Sequence, residues 1–168
     1  MRKKWKVKRG FLKVHLAVDV NSKEAVSMTV TEEKVSDGSQ TKDLVNDALS
    51  KNNIERLYSD GAYDSREIFN FLAEQGIDPA IKVRRNSSMR AKGSQARKST
   101  VIAQLDDFDK WKEEKGYGKR WAVEGAYSSI KRVFGEYVSA KKFVNMAREM
   151  VIKVSLYNIF MSMTHDEV

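Results

Sequence analysis

Residues 11–20 alternate in polarity, and that alternation is what most constrains the fold. Leu12, Val14, Leu16, Val18 and Val20 are apolar, while Lys13, His15 and Asp19 point the other way. A period of two gives an extended strand one dry face and one wet face. Asn21-Ser22-Lys23 reads as a turn and Ala25 to Val30 as a second strand, so the pair predicts an antiparallel hairpin. The period then lengthens. Leu44, Val45, Ala48 and Leu49 recur at helical spacing over about 38–50, with Asp37 or Ser36 as the expected cap. Ile54 to Tyr58 is a short apolar strand that ends at Ser59-Asp60-Gly61. A helix follows from Asp64, where Asp64 and Glu67 fit a capping box and Gly76 fits a stop. Residues 79–83 suit another short strand. Hairpin, helix, strand, helix, strand is a mixed α/β order.

The length fits one domain with a real core, spanning 1–168. Its net charge of +8 favours a polyanionic partner. No run of about 18 apolar residues offers a membrane span. The absence of cysteine excludes disulfides, thiolate zinc sites and cysteine nucleophiles, and it fits a reducing cytosol. His15 and His165 are too few for a histidine-rich metal site. Two stretches concentrate the positive charge. Residues 1–10 form a basic arm, read either as a flexible tail or as a DNA-backbone contact. From Lys82 to Leu105 there is no acid, and the basic loop at 84–98 leads into a helix. A disordered insertion is one reading of that loop. Phosphate contact without base specificity, through Lys82, Arg84, Arg85, Arg90 and Lys92, is the stronger one. The last helix, about 142–163, carries Phe143, Met146, Met150, Val154, Tyr157 and Phe160 and reads as a packed core helix.

Tyr117 to Lys131 carries the densest chemistry. Wound as a helix at about 100° per residue from Tyr117, Arg120 falls near about −60°, Glu124 near about −20° and Lys131 near about −40°. Ser128 lands near about +20° on the same stripe. Val123, Ala126, Tyr127, Ile130, Val133 and Phe134 form the opposite, core-facing side. A carboxylate flanked by two cations suits phosphate chemistry, since the acid holds a hard cation and the cations hold phosphate oxygens. A solvated helix face with i,i+4 charge pairs has the same pattern.

The spacing Y-x2-R-x3-E-x6-K resembles the motif around the last acid of the DDE transposases of bacterial and archaeal insertion sequences. Tyr117, Arg120, Glu124 and Lys131 supply all four letters. Tyr58-Ser59-Asp60-Gly61-Ala62-Tyr63-Asp64 is similar to that family's second-acid motif, and Gly10 to Asp19 is similar to its second strand. The resemblance implies a ribonuclease H-like mixed sheet flanked by helices. It implies Asp60 and Glu124 as catalytic carboxylates that ligate Mg²⁺ or Mn²⁺, because hard cations prefer oxygen. Tyr117, Arg120 and Lys131 would hold DNA phosphates beside the metals. The implied reaction is DNA transposition by in-line attack of water or a 3′-hydroxyl on a phosphodiester.

The family's first acid lies upstream of the basic stretch, and no aspartate here precedes Asp19. Asp19 ends a strand expected to run antiparallel to the one carrying Asp60, and it reads as a turn residue before Asn21. Asp37 and Asp64 read as helix caps. The family's first strand, which lies between the second and fourth, is likewise expected to be lacking. Strands two and four would then pair directly, or a partner chain would fill the gap, or the product would be marginal. The expectation is an N-terminally truncated transposase domain, inactive alone, with weak or absent metal binding. It would be a gene remnant, an internal-start product or the result of a misassigned start codon. Transposon-end DNA, a second copy or a full-length transposase are the expected partners, in a cytoplasmic, nucleoid-associated setting. The alternative is a remnant that binds DNA or transposase and inhibits transposition without catalysis. A different ribonuclease H-like nuclease, such as a resolvase, fits the Tyr-Arg-Glu-Lys spacing poorly.

Overall fold

A computed structural model describes residues 3–8, 10–90 and 92–165, the side chain of His165 excepted. The expected hairpin is present. Strand β2 (Phe11–Val18) pairs antiparallel with β3 (Ala25–Glu32). Asp19 holds the turn, accepting from the Asn21 and Ser22 amides at 2.7 Å each. A three-residue strand, β1 (Lys4–Lys6), precedes the hairpin and pairs antiparallel with β2. These residues fall inside the basic arm, and they are part of the fold because Trp5 is fully buried and its indole N–H donates to the Gly135 carbonyl at 3.2 Å. Both lysines of β1 flank that tryptophan, so the strand alternates as β2 does.

Two cores share the chain. The first lies between the sheet β1-β2-β3 and two late helices, α5 (Trp121–Phe134) and α6 (Phe143–His165). Trp5, Leu12, Val14 and Leu16 meet Ala126, Tyr127, Ile130, Met150, Val154 and Tyr157 there. The Tyr127 hydroxyl donates to the Val14 carbonyl at 2.9 Å and accepts from the Leu16 amide at 3.0 Å, which fixes helix to strand. The second core belongs to a βαβ unit. Strand β4 (Arg56–Ser59) pairs in parallel with β5 (Asp78–Ile81), and α2 (Arg66–Glu74) is the crossover such a pair requires. Phe69 and Leu72 of α2 pack with Ile77, Ile81, Val83 and with Val45 of α1 (Thr41–Leu49). Val101 of α3 (Gln95–Asp106) closes this core. The next helix, α4 (Phe108–Lys115), ends at Gly116, whose φ of 62° is the left-handed cap that glycine takes most cheaply.

Several expectations are corrected. Tyr117–Arg120 is one 3-10 turn, and the α-helix begins at Trp121. Three residues per turn then stack Arg120 beneath Tyr117 more tightly than α-geometry would. Val133 is exposed, because the buried face of α5 runs through Ala126, Tyr127 and Ile130 and has rotated away by that position. Helix α6 is not a core helix all round. Met150, Val154 and Tyr157 are buried, while Phe143, Val144, Val151, Ile152, Leu156, Ile159, Phe160 and Met163 are exposed. One sheet face covers only one stripe of it. Asp37 makes no side-chain cap, and α2 is capped by Ser65, which accepts from the Ile68 amide at 3.1 Å, rather than by Asp64. Among the described residues no strand pairs β2 or β1 with β4, and the sheets β1-β2-β3 and β4-β5 stay separate.

Candidate functional site

The parallel strand β4 delivers Asp60 to its C-terminal end, the position where α/β units present ligands. Asp60 is exposed and extended, and its Oδ1 accepts from the Ala62 amide at 2.9 Å, which opens a 3-10 turn over Gly61–Tyr63. Gly61 matters because the Lys82 carbonyl passes closely: a methyl group there would lie 3.4 Å from that oxygen. The second carboxylate, Glu124, sits in the first turn of α5, where a negative charge is favoured.

A relay of contacts runs between them. The buried Tyr117 hydroxyl donates to the Ser59 carbonyl at 3.1 Å, directly before Asp60. Burial raises the Tyr117 pKa, the Asp60 charge adds to that, and Arg120 opposes both. The Arg120 guanidinium lies near two rings, 5.4 Å from the Tyr117 centroid and 4.0 Å from that of Trp121. It reaches Glu124 Oε1 at 3.3 Å. Tyr117 therefore works through the backbone that presents Asp60, and Arg120 is oriented by aromatic faces before any ligand arrives. Trp121, exposed beside that guanidinium, had no sequence signal beyond its neighbourhood.

Lys131 makes different contacts. Its ammonium lies 5.0 Å from the Trp5 ring centroid and 3.5 Å from Glu136 Oε1, which ties it to β1 and to the turn after α5. A different lysine attends Asp60. Lys3 donates to the Tyr63 hydroxyl at 3.2 Å and stands 3.5 Å from Asp37 Oδ2. Burial lowers its pKa, but Tyr63, Asp37 and Asp60 together outweigh that and leave it raised. Asp37 in turn is 2.8 Å from the Lys13 ammonium and 3.2 Å from Nδ1 of the buried His15. The His15 contact, and then Lys13 and Lys3, hold its carboxyl well below the usual range despite partial burial.

The basic loop divides. Arg84, Arg90 and Lys92 border one open pocket, Arg85 is exposed outside its lining, and Lys82 lies over the Phe108 ring at 5.2 Å. Asp64, the expected cap, is instead buried against Arg97, with its oxygens 2.6 Å and 2.8 Å from Nε and NH2. Burial pushes its pKa up, but Arg97 and the Arg84 amide outweigh this and hold it below the ordinary carboxylate value.

The structure therefore has a carboxylate at a strand end, a second on a late helix and an arginine beside it, in a mixed α/β domain. The transposase DDE domain family matches residues 1–159, so the chain belongs to that family. Membership carries the family's general work, DNA transposition with binding at transposon ends and use of divalent metal ions. No solved structure gives a significant match. Among the described residues no group of three or more acidic, histidine or cysteine side chains gathers around one point. Asp60 and Glu124 carry oxygen donors of the kind that hard divalent cations take. No helix among the described residues is long and apolar enough to cross a membrane.

Proposed function

We propose that Asp60 and Glu124 are the two carboxylates through which this domain takes part in the phosphodiester chemistry of DNA transposition. The observation that carries this is the relay Ser59–Tyr117–Arg120–Glu124, which ties the strand end bearing Asp60 to the helix turn bearing Glu124. A ribonuclease H-like sheet is the architecture this reading implies. The antiparallel order β1-β2-β3 and the parallel pair β4-β5 are consistent with its two halves. A divalent ion, when bound, supplies Lewis acidity and a nucleophile at neutral pH. The chain's own residues do the rest. Asp60 and Glu124 would be the ion's protein ligands. Arg120, preset by the Tyr117 and Trp121 rings, would neutralise a phosphate oxygen, and Lys131 would join the same strand only by leaving Trp5 and Glu136. Asp60 and Glu124 on their own would bind the ion weakly and cleave poorly, since two carboxylates supply few of the oxygen ligands a hard divalent cation takes.

The test is Mn²⁺ titration followed by NMR. Joint paramagnetic broadening around residues 60–62 and 121–125, lost in both Asp60→Asn and Glu124→Gln, is the expected result. Broadening at one segment without the other would sink the pairing. Efficient Mg²⁺-dependent strand cleavage by this chain alone would overturn the claim of weak catalysis.

A second reading has its own observation. Arg84, Arg90 and Lys92 are exposed around one pocket that, among the described residues, no acid lines. The chain would then bind DNA, or assemble with a full-length transposase or a second copy, and inhibit transposition without cutting. Salt-dependent binding with no cleavage at any Mg²⁺ concentration would favour it.

A further inference from the structure

The loop after β5 encloses an open pocket of about 640 Å³. Its cations come from three elements. Arg84, Arg90 and Lys92 belong to the loop, Arg66 to the first turn of α2, and Arg97 to the first turn of α3. Among the described residues no acid lines it. Both arginines contributed by helices sit at N-terminal turns, where the macrodipole disfavours positive charge. An anion in the pocket would relieve both.

The pocket is held in shape from beneath. The Asp64 side chain is 0% exposed and binds Arg97 through two oxygens. It also accepts from the Arg84 amide at 2.9 Å, which pins the start of the loop. Arg97 NH2 donates onward to Ser87 Oγ at 3.0 Å. At the far end the Asn70 side-chain amide donates to the Gly93 carbonyl at 3.0 Å. Asp64 is spent on Arg97, so Arg66, Arg84, Arg90 and Lys92 keep their charge for a ligand. Among the described residues none of these four is in an ion pair.

We propose that this pocket is a second phosphate site, separate from the carboxylate pair, which grips backbone phosphates of DNA, and that Asp64 is its positioning residue. The identity of the polyanion rests on the function proposed above, whereas the location and chemistry of the site do not. Held on phosphate oxygens, these guanidinium, ammonium, hydroxyl and amide donors position the strand and carry no sequence information. The position also fits. The Lys82 carbonyl, two residues before Arg84, passes Gly61, so the loop begins beside the Asp60 corner.

The experiment is fluorescence anisotropy of a labelled DNA duplex with the full chain in EDTA, over a range of salt. Arg66→Gln should flatten the slope of log affinity against log salt by about 0.9, the value for one lost phosphate contact, and Arg66→Gln with Arg90→Gln by about twice that. Arg132→Gln, an exposed cation on α5, should leave the slope unchanged. Asp64→Asn should weaken binding with the four ligand cations intact, and its far-UV dichroism shows whether it is folded. The exposed Arg66 and Arg90 variants keep the test decisive if it is not. Equal effects of Arg66→Gln and Arg132→Gln would overturn the site. Absence of DNA binding in the unsubstituted chain would sink this inference and the DNA partner together. Normal binding by the pocket variants would sink this inference alone. Slope losses without joint Mn²⁺ broadening would sink only the carboxylate pairing.

Discussion

Two arginine–carboxylate pairs in this domain are opposites. Asp64 and Arg97 are joined by two contacts of 2.6 Å and 2.8 Å, with the carboxylate out of water. Glu124 and Arg120 share one contact of 3.3 Å, with the glutamate side chain 33% exposed. The first acid has a backbone amide to hold as well. The second is a neighbour on its own helix turn. Identical groups therefore have different work. The closed pair shapes the loop, and the open pair can exchange one partner for a ligand at little cost.

Removing the buried acid is the largest expected effect. Asp64→Ala leaves Arg97 without its counter-charge and the Arg84 amide without its acceptor, which should cost about 3–5 kcal/mol. Urea denaturation followed by tryptophan fluorescence measures it. A loss below about 1 kcal/mol, the range of exposed pairs, would mean that the two pairs are equivalent after all.

The same contrast predicts an acid limb. The folded pKa of Asp64 lies below its ordinary value of 3.8, and that of Asp37 does too, chiefly through His15. A depressed carboxylate contributes stability that is fully present above its unfolded pKa and is lost as pH falls through the folded one. The urea midpoint should therefore fall from about pH 5 downward. Asp64→Asn should reduce that slope. A midpoint indifferent to acid would contradict both assignments.

What could be read in the sequence follows the same division. Period-two alternation announced the hairpin, and Ser59-Asp60-Gly61 marked a strand end, because both are local patterns. The relay from Tyr117 to Ser59 is a contact across 58 residues that no spacing reveals. Asp64 read as a cap because aspartates before helices usually are caps, but Ser65 one position later met the Ile68 amide and freed Asp64 for Arg97. Arg66 and Arg97 carry a legible signal, a cation in a helix's first turn, that becomes informative only once both are seen to border one pocket. The apolar residues around α6 announced a helix but not which stripe would be covered, since that depends on how many elements reach it.

A smaller effect separates orientation from charge on the open side. Trp121 lies against Arg120 at 4.0 Å while itself exposed, so Trp121→Ala should cost only about 0.5–1 kcal/mol of stability. Its larger consequence should be for ligand: without the ring, the guanidinium loses its preset direction. DNA affinity should fall in Trp121→Ala with the salt slope unchanged, since no charge is removed. A changed slope would show that the ring orders more than Arg120.

The smallest expected effect on stability belongs to Glu124. An i,i+4 pair on a helix is worth about 0.3–0.5 kcal/mol, and part of even that returns when Arg120 falls back on its two aromatic rings. Glu124→Gln keeps the shape and removes only the charge, so the urea midpoint should barely move. Mn²⁺ broadening around residues 121–125 should nevertheless disappear. A side chain that matters to an ion but not to folding is what an open, exchangeable pair requires. If Glu124→Gln instead unfolds the chain as Asp64→Ala does, Glu124 is a structural acid like its buried counterpart, and the open side of the comparison no longer holds.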